Sequence, residues 1–143
     1  MNTQYEASVR LAFWGDTLQP ADLARQLKLA PQFCEVRVKG EVLRLHDGTS
    51  SGSVAKTGML IYDHTQLLEN ERHDPEAELL RIAELLRPLP DAFFVSNSVE
   101  QAQLQMFFYH ERRGAGEPDF LVPPELLALA TRHAIQLRIT ILP

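Results

Sequence analysis

Two stretches of the chain alternate strictly between apolar and polar residues. In ASVRLAFW, Val9, Leu11 and Phe13 point one way while Ser8, Arg10 and Ala12 point the other, which predicts a half-buried strand ended by Gly15. In AIQLRITI, Ile135, Leu137, Ile139 and Ile141 alternate with Gln136, Arg138 and Thr140, and this is the clearest strand of all. After the first strand, PADLARQLKL predicts a short helix. Pro20 stands where its missing N–H costs little, Leu23 and Leu27 share one face, and Pro31 closes the unit. FCEVRVKGEVLRLH predicts one or two short strands, with Gly40 as a turn or bulge, and GMLIYDH predicts another. The strongest helix follows, with Asp74 as N-cap, Pro75 in the first position, and Glu76 and Glu78 at the positive end of the dipole. Leu79, Ile82, Ala83 and Leu86 form its apolar stripe, and Pro88 ends it. DAFFVSNSV and QAQLQMFFYH predict an antiparallel hairpin turning near Glu100 and Gln101, and ERRGAGEP predicts a loop. A last helix opens at Pro123-Pro124, carries Leu126, Leu127, Leu129 and Ala130, and ends with Arg132 and His133 near its negative pole.

Alternation of this kind belongs to sheets with one buried face; a parallel sheet covered on both faces would show continuous apolar runs. The pattern therefore predicts an α+β two-layer sandwich, a variant of the ferredoxin-like type. Its sheet is mostly antiparallel, with three helices on one face. No linker or shift of composition interrupts residues 1–143, which predicts a single α+β domain.

Charge and cysteine content narrow the classes. A net charge of -5 gives no global attraction to phosphate backbones or anionic membranes, so neither nucleic acid nor membrane is an expected partner. Cys34 is the only cysteine, which excludes an intramolecular disulfide and a zinc cluster of cysteines; within FCEVRV it reads as a structural thiol. The start MNTQYEASVRLAFWG lacks the basic residues and long apolar run of a secretory signal, and a cytoplasmic setting is expected.

Two patches carry a likeness. One is FWGDTLQPADLARQLKLAP, residues 13–31, followed at a distance by Gly40 and by KTG at 56–58; the other is FLVPPELLALATRHAIQLRITI, residues 120–141. Their order and spacing resemble the bacterial domain-of-unknown-function family 4279. The resemblance implies a strand ending near Phe-Gly-Asp, a mid-chain Thr-Gly turn, and a C-terminal Pro-x-Leu-Leu helix leading into a final strand. One departure is that Met59-Leu60 follows the turn where the family pattern has an aromatic. The resemblance implies no activity and no catalytic residues.

Candidate chemistry is sparse. HDGTSSGSVAKTG, residues 46–58, leads into Lys56-Thr57 as a phosphate-binding loop would, but Ser50 and Ala55 occupy the two glycine positions of that motif. A strand rather than a helix follows, so a plain connection between strands is expected. His46, His64, His73, His110 and His133 are scattered without helical zinc spacing, and most fall at element ends where a solvated ring is ordinary. Asp63-His64 and His46-Asp47 flank the loop, and Asp16 follows Gly15 at a strand end. Asp16, His46, Asp63 and His64 are thus the candidate ligand or metal site, with a turn role as the plainer reading of Asp16. Glu78 with Arg81, and Glu84 with Arg87, have the spacing of ion pairs on a solvated helix face.

Strict alternation leaves Arg10 and Trp14, Phe107 and Tyr109, and Arg138 on the sheet face away from the helices. Aromatics and arginine are enriched where proteins meet, so these five residues are the candidate interaction surface. The expectation is a bacterial protein without enzymatic activity or cofactor, an immunity or accessory protein that contacts a protein partner or a second copy of itself. The alternative is a small-molecule or metal-dependent enzyme with its site near the 46–64 loop and strand ends. A base-stacking sheet is a third reading, disfavoured by the acidic charge and the lack of an RNA-binding signature.

Overall fold

The computed structural model describes residues 6–64, 75–109 and 121–142. The strands are β1 (Glu6–Gly15), β2 (Cys34–Arg37), β3 (Val42–Arg44), β4 (Ser50–Val54), β5 (Gly58–Tyr62), β6 (Gln101–Tyr109) and β7 (Ile135–Leu142). The helices are α1 (Pro20–Gln26), α2 (Pro75–Leu86), α3 (Phe93–Ser96) and α4 (Pro124–Arg132). Five strands form one sheet in the order β2-β5-β1-β6-β7, and β3 and β4 form a separate pair. β1 is antiparallel to β5 and β6, and β2 is antiparallel to β5. Among the described strands only β6 and β7 run parallel, and α4 lies in the connection between them.

The pleat of β1 organises the core. Val9, Leu11 and Phe13 are almost wholly buried, beside Leu60 of β5 and Leu104 and Met106 of β6. The same apolar cluster takes Leu23 from α1, Leu79, Ile82 and Leu86 from α2, Phe94 from α3, and Leu126 and Leu129 from α4. Every described helix thus buries its stripe against one side of the sheet. The architecture is the α+β two-layer sandwich with a mainly antiparallel sheet that the alternation predicts.

Three local expectations are corrected. DAFFVSNSV does not form the first strand of a hairpin; its centre is the short helix α3. Phe94 is buried with its ring stacked on Phe13 at 5.0 Å, and Asn97 closes the turn by donating its side-chain amide to the Phe93 carbonyl. That aromatic burial outweighs the strand preference of Phe-Phe-Val. β6 pairs instead with β1, entered through a hydrogen bond from the Glu100 N–H to the Trp14 carbonyl. Second, Ile135, Leu137, Ile139 and Ile141 share the core face, yet of the four only Ile135, just after α4, is buried. Third, Glu78 forms the expected pair with Arg81, at 3.7 Å, but not on a solvated face: it is buried and also faces His64, while Arg87 reaches across to Glu125 of α4.

Residues 46–58 contain more order than a plain connection. The β3–β4 hairpin turns at Leu45–Thr49, where the Thr49 N–H and hydroxyl both donate to Asp47 and Gly48 takes a positive φ of +84°. Every residue of β4 is exposed, so the hairpin stands clear of the core. Its return, Lys56-Thr57-Gly58, enters β5 where Gly58 faces Gly15. A Cβ on Gly58 would lie 2.7 Å from the Gly15 carbonyl oxygen, and one on Gly15 would lie 2.0 Å from the Ser98 carbonyl oxygen. This close approach explains the glycines on both sides of the turn. The Asp74 cap and the ERRGAGEP loop lie outside the described residues.

Candidate functional site

The sheet face away from the helices brings together the candidate interaction residues of β1, β6 and β7. β1 contributes Ser8, Arg10, Ala12 and Trp14, and β6 contributes Gln103, Gln105 and Phe107. β7 adds Gln136, Arg138 and Thr140, while Met59 and Ile61 of β5 and Glu35 and Arg37 of β2 complete the face. Trp14 is half-buried between Met59 and Gln101 in the register. The Arg10 guanidinium lies 4.3 Å from the centre of the Phe107 ring, a cation–π contact. Its Nε is shielded from water and has no hydrogen-bond acceptor among the described residues. Gln105 donates to Gln103 at 2.9 Å, and Gln103 to Gln136 at 3.3 Å, so an amide row crosses from β6 to β7 beside the arginines. Arg37 is paired with Glu35, whereas Arg138 is exposed. The side chain of Tyr109 lies outside the described residues.

The candidate ligand or metal residues do not converge. Asp16 sits in an exposed turn beyond β1, with its carboxylate 3.3 Å from Lys39 Nζ and its N–H donating to Glu100. Asp63 and His64 follow β5 at the other end of the β1–β5 ladder, since Gly15 pairs with Gly58 and Leu11 with Tyr62. The two neighbours also diverge. Asp63 accepts from the Ser8 hydroxyl at 3.2 Å, and His64 turns to Glu78 of α2, with 3.1 Å between Nδ1 and Oε1. His46 lies exposed in the β3–β4 turn. Among the described residues no group of three or more His, Cys, Asp or Glu side chains is placed to hold a metal ion. His73 and His110 lie outside the described residues.

His64 belongs instead to an open groove of about 430 Å³ between the end of α1 and α2, with Phe33, Tyr62, Arg81 and Leu85 among its walls. Phe33 packs on the His64 ring at 4.8 Å, and burial pushes the Tyr62 hydroxyl up from its ordinary value, with Arg81 opposing. Cys34, near by, is half-buried, donates weakly to the Ala30 carbonyl, and has its thiol pushed up by burial, as in an unreactive cysteine.

His133 is not the solvated helix-end residue the sequence suggests. It is 6% exposed, edge-on to Phe94 at 5.5 Å, with neither ring nitrogen in a good hydrogen bond. Burial first, then Arg132, holds it below its ordinary value; Asp91 and the Leu86 carbonyl oppose without closing a hydrogen bond. The signal was present: 126, 129, 130 and 133 continue one helical stripe.

No family model, no curated protein and no solved structure matches the chain. Among the described residues no helix is long and apolar enough to cross a membrane.

Proposed function

We propose that this chain is a non-enzymatic protein-interaction module and that the open sheet face is its contact surface. One observation carries the reading. The face left bare by the helices concentrates Trp14, the Arg10–Phe107 cation–π pair and the exposed Arg138. A partner's carboxylate would meet the Arg138 guanidinium, and the two aromatics supply rigid apolar area on the same face. Arg10 and Arg138 on one face of a chain with net charge -5 favour an acidic protein partner, while Arg37 is already paired with Glu35. A bacterial cytoplasmic accessory or immunity protein fits this surface, and the likeness to domain-of-unknown-function family 4279 belongs to the same proposal.

The test is a pull-down from the native host, comparing the unaltered chain with Trp14→Ala, Arg10→Ala and Phe107→Ala. Capture of one protein that all three substitutions weaken supports the reading. Capture unchanged by the substitutions, or abolished by nuclease treatment, overturns it.

The groove beside His64 favours a second reading, binding of a small molecule. It brings the aromatic Phe33 and Tyr62 together with Arg81 and Glu84, groups that can hold a small molecule. Binding of a metabolite by the purified protein, lost in Tyr62→Phe or His64→Ala and retained in Trp14→Ala, would replace the first reading with this one.

A further inference from the structure

The two edges of the main sheet are built differently. β2 is four residues long, with Glu35 paired to Arg37 and Lys39 just beyond. Short length and charge make an edge a poor template for further strands. β7 has eight residues, no proline and a single charge, Arg138, and it stays in unbroken register with β6 from Ile135 to Leu142. Among the described residues no strand pairs with its outer edge. Leu137, Ile139 and Ile141 stand 40%, 52% and 61% exposed, although their register neighbours Leu104, Met106 and Phe108 are buried. The apolar row of the core therefore runs on past α4 to an open strand.

We propose that β7 pairs antiparallel with β7 of a second copy, about a two-fold axis normal to the sheet at Ile139. Such an axis keeps each sheet face, and both helix layers, on their own side, so only residues facing the same way can pair. With the axis at Ile139, that residue meets its own copy and Leu137 meets Ile141, while Arg138 lies opposite Thr140 on the other face. Moving the axis to Arg138 would set the two guanidiniums against each other, which is destabilising. Moving it to Leu137 or Thr140 leaves Ile141 or Leu137 without a strand residue opposite. The side-chain sequence thus selects one self-complementary register, and this is what favours a second copy over an unrelated strand. The resulting pair has one continuous sheet, and its two open faces form one surface. The proposal stands independently of what that face binds.

Sedimentation of the purified full chain from micromolar to millimolar concentration tests it. A dimer is expected, and Ile139→Lys or Ile141→Lys should each weaken it by about tenfold or more while circular dichroism shows an unchanged fold. In a Cys34→Ser background with oxidised glutathione, Ile139→Cys should form a disulfide-linked dimer, and Arg138→Cys should not. A chain that stays monomeric throughout, a dimer indifferent to both lysines, or preferential linkage through Arg138→Cys would overturn the proposal.

Discussion

Phe13 and Trp14 are neighbours in β1, yet they belong to different parts of the molecule. Phe13 is fully buried and stacked on Phe94, whereas Trp14 stands half-exposed on the face that no described helix covers. The pleat of a strand turns consecutive side chains to opposite faces, so one sequence stretch serves the core and the surface at once. Core packing and surface exposure are thereby separated by about the thickness of a single sheet. Substitutions on the two faces should have correspondingly different consequences.

The largest contrast is expected between these two residues. Phe13→Ala should cost about 3–5 kcal/mol, as large aromatic truncations in cores do. Trp14→Ala should cost under about 1 kcal/mol in denaturant unfolding followed by circular dichroism. A Trp14→Ala loss as large as that of Phe13→Ala would show that the open face is structural and would break the comparison. Gly15→Ala comes next. Its new methyl meets the Ser98 carbonyl, so a loss of roughly 1–3 kcal/mol is expected from overpacking. A Gly15→Ala midpoint equal to that of the unaltered chain would contradict the tight approach of β1 to the Ser98 turn.

The pH dependence of the core side follows from His133. Burial holds its imidazole below the ordinary value of 6.5, so between the two values the unfolded chain binds the proton and the folded chain does not. Its contribution to stability is therefore full above about pH 6.5 and is lost as pH falls through the lower, folded value. His133→Leu should flatten that part of the stability profile, read as the denaturation midpoint at successive pH values. An unchanged acid limb in His133→Leu would assign the dependence to other groups. The smallest effect is expected at Arg87–Glu125. The pair is bidentate, at 2.5 and 2.9 Å, but exposed, so Glu125→Gln should leave the midpoint within the scatter of ordinary surface substitutions. A clear loss there would extend the structural side of the comparison to the helix surface.

Much of the fold was legible in the sequence. The alternation of 8–13 and 135–141, the prolines at 20, 75 and 124, and the stripes of α2 and α4 are local signals, each set by the geometry of its own element. DAFFVSNSV was not legible, because its conformation depends on Phe94 finding Phe13, far away in the chain. The candidate ligand site was not legible for a similar reason. Closeness in sequence placed Asp63 and His64 together, but the chain leaving β5 points them to Ser8 and to Glu78 respectively. His46 joined them only through a loop that folds outward as a hairpin. The open-face residues fared better: Arg10, Trp14, Phe107 and Arg138 share a face because uninterrupted alternation in three paired strands leaves them no other place.

By itself, then, the sequence determined which residues form strands and helices at most positions, which side of each strand is apolar, and that one sheet face would be left to polar and aromatic groups. Those features follow from periods of two and 3.6 residues that every segment carries within itself. Tertiary structure decided what no segment carries alone. It set strand order, and among the described residues it left β7 as an edge on which Leu137, Ile139 and Ile141 are exposed and Ile135 is buried. It buried His133 and Glu78, and it sent the 46–58 stretch out as a hairpin rather than across the core. These outcomes depend on which apolar surfaces meet, and that is settled by packing between residues distant in the chain.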